Sequence, residues 1–266
     1  MPTAVLSLPI WLLTILIIVI FVGFAALGLF AARRWLLPRL NIGQHDAEFG
    51  GAMVQAILVF YALAIALVAV STWEQHSAIS EQSSQEAATI ATLYREGVLF
   101  PEDVRDELQK DLVEYTAFIV DEAWPAQARG EVPEGGTELI TTIQSTLGSY
   151  EPTSSGMEAV HAQALDTFRD MVELRRLRLD AVGGHLSVAM WAFVLVGAAI
   201  ALGSSYLFVV GDARLHLILV GFLATIIAMV VVLIAAYDSP FVGDLAVSSD
   251  SYRLVLDAAR SITQTE

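Results

Sequence analysis

The sequence predicts an all-α integral membrane protein with four transmembrane helices and a helical-bundle extramembrane domain inserted between helices 2 and 3. Three observations carry this expectation. Four charge-free apolar runs each exceed the ~20 residues that cross the ~30 Å hydrocarbon core of a bilayer. The 266-residue chain is 56% hydrophobic and only 16% charged, against about one quarter charged in a soluble domain. Most of the charge it does have lies between the second and third runs, where apolar residues recur at helical spacing.

The apolar runs are Leu8–Ala32, Gly51–Trp73, Leu186–Val210 and Leu217–Tyr237. The first has no basic leader and is too long for the apolar stretch of a signal peptide, so it is read as a span. Trp11, Trp35, Trp73 and Trp191 lie near run ends, where aromatic belts meet the headgroups. No ionisable residue lies mid-span, and no span carries a Gly/Pro break of the kind that unwinds a substrate site. Both absences disfavour a proton-coupled or ion-coupled transporter. Arg33, Arg34 and Arg39 fall in a short basic loop over 33–50, and Arg214 falls in the loop between spans three and four. The positive-inside rule then places the protein in the cell membrane as a multi-pass chain, with the acidic domain and both termini extracytoplasmic.

The organisation that follows is 1–73 for spans one and two, 74–185 for the extramembrane domain, 186–237 for spans three and four, and 238–266 for a tail. Glu74 to His185 holds 21 acidic residues against 8 basic ones, a net of −13, within a chain of formal net charge −15. That balance excludes nucleic acid as a partner. The absence of Cys removes disulfides and thiolate chemistry. Ala52 to Glu96 contains neither Gly nor Pro, which predicts one helix running out of the bilayer, roughly 68 Å long at 1.5 Å per residue. Past Trp73 its apolar stripe is Ile79, Ala87, Ile90, Leu93 and Tyr94, and Gly97 ends it. A second helix begins after Pro101 with Val104, Leu108, Leu112, Tyr115 and Ile119 on one face, and Pro125 should kink or end it. A shorter helix follows within EGGTELITTIQSTLGSYEPTSSG. A last one, striped by Met157, Val160, Ala164, Phe168 and Met171, runs to Val182 before Gly183-Gly184. In the tail, Asp238 caps the junction, Pro240 blocks helix continuation, and Ser251–Arg260 forms an amphipathic helix with Leu254, Val255 and Ala258 on its apolar side, lying on the domain or on the headgroups.

Candidate functional residues fall in two groups. Gln55, Ala62, Ala66, Ala69 and Trp73 share one face of span two. Small residues there suit close helix packing, and also a weakly polar pore wall. Glu74 follows at the membrane exit, where it meets water or rings a pore mouth in an oligomer. In the domain, Glu122, Trp124 and Arg129 in DEAWPAQARGE, and Arg175 and Arg178 in ELRRLRLD, form a polar cluster. DEAWPAQARGE is read as a structural corner with Trp124 packed under it, or as a pocket for a small cation. The Arg pair is assigned to intra-domain salt bridging, with Glu122 or Glu74 as partner, or to an anion. His45, His76, His161, His185 and His216 are scattered, and no catalytic motif is present. The expectation is no enzyme, no metal and no cofactor.

The series VSTWEQ, EAATIATLYR, DEAWPAQARG, LRRLRL followed by Met190-Trp191, and DSPFVGDLAVS resembles the bestrophin-like domain family of four-span membrane proteins, over nearly the whole chain from Glu48 onward. The resemblance implies kinship with bestrophins, which are pentameric anion channels with both termini in the cytosol. DSPFVGD is similar to the Pro-Phe-Gly stretch that precedes an acidic calcium-binding run in bestrophins, but here only Asp244 and Asp250 remain of that run.

Two functions fit. One is a homo-oligomeric ion channel, its pore lined by span two beneath an acidic vestibule, with inorganic ions, the lipid bilayer and copies of itself as partners. The alternative is a membrane-anchored sensor or scaffold whose helical domain binds a ligand or a partner protein.

Overall fold

The computed structural model describes residues 9–40, 44–207 and 211–263, and every regular element among them is helical. The runs expected to start at Leu8 and to end at Val210 reach into residues outside the described ones. The chain divides into two compact units, Met1–Glu74 with His185–Asp238, and Gln75–Gly184 with Ser239–Glu266.

The first unit contains α1 (Ile10–Ala31), a π-turn (Ala32–Leu36), α2 (Leu37–Leu40), the first part of α3 (Gln44–Gly97), α8 (Val188–Ser205) and α9 (Ala213–Tyr237). The segments Ile10–Arg39, Gly50–Gly97, Val188–Ser205 and Ala213–Tyr237 are each long and apolar enough to cross a membrane. The stretch 33–50, expected as a basic loop, is helical on both sides of residues 41–43. Arg33, Arg34 and Arg39 therefore ride on a helical extension of the first span.

Between helices in lipid the hydrophobic effect offers little, so packing relies on small residues that admit close contact. The interior of this unit shows that economy in Ala25, Ala198, Ala201 and Ala224, which lie among Leu29, Ile65, Val68 and Val220. Gly197 is the tightest case. A Cβ there would stand 2.5 Å from the Tyr61 ring of α3, while the Tyr61 hydroxyl donates to the Val194 carbonyl at 3.1 Å. Gly197, Ala201 and Ser205 recur at four-residue steps along α8 and form its packing row, with Ala201 and Ser205 buried. Asp238 caps the junction as anticipated. Its carboxylate accepts from the Leu186 amide and, at 3.0 Å, from the Trp191 indole, and its carbonyl accepts from His185 Nδ1 at 2.7 Å.

The second unit contains the rest of α3, then α4 (Glu102–Phe118), a π-turn (Ile119–Ala123), α5 (Trp124–Ala128), α6 (Gly136–Ser149), α7 (Ser155–Asp180) and α10 (Asp250–Thr263). The expected stripes meet in one core. Ala87, Ile90, Leu93 and Tyr94 of α3 pack with Leu108, Leu112 and Tyr115 of α4 and Ile119 just beyond it, Ile140, Ile143 and Leu147 of α6, and Ala164, Phe168 and Met171 of α7. Helix α3 does end at Gly97. Helix α7 ends at Asp180, two residues short of expectation, and Ser154 caps its start by accepting from the Met157 amide.

Two details differ from the sequence reading. Pro125 does not stop the helix abruptly. A π-turn precedes it and one more α-turn follows, to Ala128. The other π-turn likewise ends two residues before a proline, Pro38. Proline has no N–H and its ring crowds the carbonyl four residues back; a widened turn relieves both problems. In α10 the buried side is Tyr252, Leu256 and Ala259, with Val255 partly covered, whereas Leu254 is 72% exposed. The aromatic Tyr252 sets the rotation, and the helix lies on the domain core.

Two tests follow from this packing. Gly197→Ala forces its methyl into Tyr61, and thermal unfolding in detergent should show a loss of about 1–3 kcal/mol, the scale of overpacking. In the second unit, Asp111 is buried and its carboxylate accepts from the Thr146 hydroxyl at 2.9 Å. Burial raises its pKa, and the Thr146 hydrogen bond only partly opposes that. A carboxyl with a raised folded-state pKa binds its proton more tightly when folded, so its ionised form costs stability, and the cost fades as pH falls through the folded-state value. Asp111→Asn should therefore be more stable than the parent at pH 7–8 in denaturant melts, with the gap closing on acidification.

Candidate functional site

On α3, the face carrying Gln55, Ala62 and Ala66 is exposed in the single chain, Ala69 is half-buried, and Trp73 and Glu74 at its end are exposed. The packing residues of this helix are others: Val54, Ile65, Val68 and Thr72. At 100° per residue their row lies about 100° around the helix from the small-residue row. Thr72 hides its hydroxyl within the helix by donating to the Val68 and Ala69 carbonyls. Within the single chain, Ala69 of this row packs against the interior. Gln55, Ala62 and Ala66 instead line an open, apolar groove of about 410 Å³ shared with Leu223, Ile226 and Val230 of α9.

The polar cluster expected in the domain forms around a different acid. Arg178 is 1% exposed and Glu86 is 0% exposed, and they meet in a two-point ion pair: Arg178 Nε donates to Glu86 Oε2 at 2.7 Å, and Nη2 donates to Oε1 at 3.1 Å. Tyr115 donates to Oε1 at 2.9 Å and Tyr252 donates to Oε2 at 2.8 Å. Trp124 lies over the guanidinium at 5.8 Å and donates its indole N–H to the Val247 carbonyl at 3.1 Å. Its ring also meets Phe241 edge-on, at 5.5 Å between centroids. Of the expected cluster, the structure thus unites Trp124 with Arg178. Glu122 is exposed, and Arg129 is exposed and pairs with Glu131 at 3.1 Å. Arg175 reaches the Thr137 hydroxyl. The expected pairing of the arginines with Glu122 or Glu74 is therefore corrected to Glu86 for Arg178. Glu122 carries an exposed charge on the widened turn, and the buried site needed an acid on a facing helix stripe.

Glu86 was legible in principle. It falls at the 79, 83, 86, 90, 93 rhythm of the buried α3 stripe, and a carboxylate on an apolar stripe demands a cation. Electrostatics follow from the geometry. Burial pushes both tyrosine hydroxyls well above their ordinary range, and the adjacent Glu86 charge pushes them further. Burial alone would lower the Arg178 pKa, but the Glu86 carboxylate overrides it and the net shift is upward. The two tyrosines therefore stay neutral and Arg178 stays charged across the physiological range.

A third polar contact was not anticipated. Arg33 Nη2 lies 3.1 Å from His216 Nδ1, and His216 Nε2 lies 3.2 Å from the Ser205 carbonyl. A guanidinium only donates and a carbonyl only accepts, so the ring proton sits on Nε2. Among the described residues no group of three or more His, Asp or Glu side chains is arranged to hold a metal ion.

The Bestrophin-like domain family profile matches residues 19–252. Among solved structures, the chain is similar to a membrane protein at TM-score 0.69 and 10% identity, over 94% of this chain and 98% of that one. It is also similar to two single-substitution variants of a bacterial bestrophin homologue from Klebsiella pneumoniae. One aligns at TM-score 0.65 and 9% identity, the other at 0.62 and 12%, each over 94% of this chain and 98% of that one. No curated protein matches by sequence.

Substitutions at the ion pair discriminate its energetic role. Arg178→Met strands a buried carboxylate, and Glu86→Gln strands a buried guanidinium. Each should cost about 3–5 kcal/mol in denaturant unfolding. The double change Glu86→Leu with Arg178→Met removes both buried charges and should recover part of that loss, the remainder staying with the Tyr115 and Tyr252 hydroxyls that lose their acceptor.

Proposed function

The chain belongs to the Bestrophin-like domain family, and from that membership and the open face of α3 we propose that it is a homo-oligomeric membrane ion channel. The carrying observation is the row Gln55, Ala62 and Ala66, which is exposed in the single chain, continues through half-buried Ala69 and leads to exposed Trp73 and Glu74. Copies of α3 arranged about an axis would present this small, weakly polar row to a water-filled path. Alanines leave width for an ion with part of its hydration shell, Gln55 offers an amide to it, and Glu74 lies where a charged ring would act on entering ions. Structural kinship with a bacterial bestrophin homologue supports the oligomeric channel architecture.

Charge supports the direction of ion attraction. The segment from Glu74 to His185, with its net of −13, concentrates cations near it. In this reading the pore admits cations more readily than an anion channel of the same architecture would. Arg33, Arg34, Arg39 and Arg214 mark the cytoplasmic ends of the spans, which puts the acidic unit on the other side.

Reversal potential under a KCl gradient in a planar bilayer tests the proposal. The parent should pass current with reversal displaced toward the potassium side. Glu74→Gln should move it toward chloride by several millivolts or more, and Ala66→Trp should cut conductance severalfold without altering subunit number. An unchanged reversal potential removes Glu74 from the conduction path. Silence at both polarities, with a partner protein co-purifying stably, would favour the sensor or scaffold function instead.

A further inference from the structure

We infer, on the reading of Gln55, Ala62 and Ala66 as the wall of a conduction path, that Tyr61 is the residue that positions this wall. Its hydroxyl, held on the Val194 carbonyl of α8, fixes the rotation of α3 about its own axis. The hydroxyl donates at 3.1 Å. Among the described residues it makes the one side-chain hydrogen bond that joins α3, between Gly50 and Glu74, to another membrane helix; the Thr72 hydroxyl stays within α3. At 100° per residue, Tyr61 points within about 20° of Val54, Val68 and Thr72, so it belongs to the packing row of α3. Ala62 follows it directly and stands about 100° around the helix. Both residues line the groove between α3 and α9.

Packing by itself holds such a rotation weakly. The buried residues around this contact, Ile65, Val68, Val194 and Ala198, are apolar. Burial and dispersion have no direction, and lipid is as apolar as the side chains it would replace. A hydrogen bond does have a direction.

The acceptor is uncovered for a reason that residue order records. A helical carbonyl accepts from the N–H four residues on and keeps a second lone pair. Side chains lean toward the helix N-terminus, so the residues three and four positions later cover that lone pair. After Val194 these are Gly197 and Ala198. A Cβ at Gly197 would stand 2.5 Å from the Tyr61 ring, so the bare backbone lets the phenol come down onto the carbonyl. Removing the hydroxyl leaves the carbonyl its helical partner. Tyr61→Phe therefore strands no polar group, keeps the ring, and separates rotation from stability.

The chain has no Cys, so single cysteines in the full-length protein report which side of α3 meets water. Ala66→Cys lies in the row, and Leu67→Cys lies about 100° from it. In liposomes, a membrane-impermeant methanethiosulfonate should modify Ala66→Cys faster than Leu67→Cys by roughly tenfold or more, because only a wetted thiol ionises and reacts. With Tyr61→Phe added, that ratio should fall by roughly threefold or more, the hold of one hydrogen bond on an equilibrium. Thermal unfolding in detergent should move little, and Ile65→Cys in the packing row should stay unmodified. An unchanged ratio would overturn the inference and leave the conduction path standing. So would a fall produced by Tyr61→Leu but not by Tyr61→Phe, which would assign the rotation to the ring. Modification of Ile65→Cys in the Tyr61→Phe background would overturn it as well, by showing general loosening. If neither Ala66→Cys nor Leu67→Cys reacts with Tyr61 in place, the conduction path itself fails, and the inference with it.

Discussion

The extramembrane unit is organised around one carboxylate. Both oxygens of Glu86 are saturated, each by one Arg178 N–H and one tyrosine hydroxyl. Those donors come from α4, α7 and α10, while the acceptor sits on α3. Moving a carboxylate out of water costs several kcal/mol, and an ion pair offsets this only when the remaining hydrogen-bonding capacity is also met. For Glu86 it is met by four donor groups from three helices, while Arg178 Nη1 has no hydrogen-bond partner among the described residues, so the arrangement specifies position as much as it stabilises. A helix that slipped by one turn would leave a buried charge unanswered. The apolar core around it, from Ile90 to Met171, tolerates small shifts far better, because dispersion and burial are not directional.

Trp124 extends that specification into the tail. Its ring covers Arg178 and Tyr252 and meets Phe241, and its indole N–H holds the Val247 carbonyl. The widened turn before Pro125 supplies the chain direction that places this ring. A proline that a sequence scan reads as a kink or a terminator acts here through the widened turn upstream of it. The tail is thereby integral to the unit, bound through Tyr252 and through the loop from Phe241 to Val247.

The membrane unit uses different physics. Its contacts are close approaches over glycine and alanine, with polar groups spent locally: Thr72 on its own helix, Asp238 on the start of α8, Arg33 on His216. What it leaves open is chemically particular, namely a small-residue face on α3, and the proposed conduction path follows from that surface.

Periodicity and composition alone determined the four spans, the single long helix from the second span, and the apolar stripes that became the domain core, because hydrophobic burial at helical spacing leaves a direct trace in residue order. That Gln55, Ala62, Ala66, Ala69 and Trp73 share a face was visible for the same reason, since a shared face is a matter of spacing. That Glu86 needs a cation was legible from its place on the buried α3 stripe, but its pairing with Arg178 was not, because 92 positions separate the two and residue order does not record which cation comes within reach. The rotation of α10 was misjudged because Leu254 looks more apolar than Tyr252, yet only Tyr252 has a carboxylate waiting for its hydroxyl. Tertiary structure decided both outcomes, for one reason. Burying a charge or a hydroxyl requires a specific partner, and which partner is within reach depends on how helices distant in sequence come together.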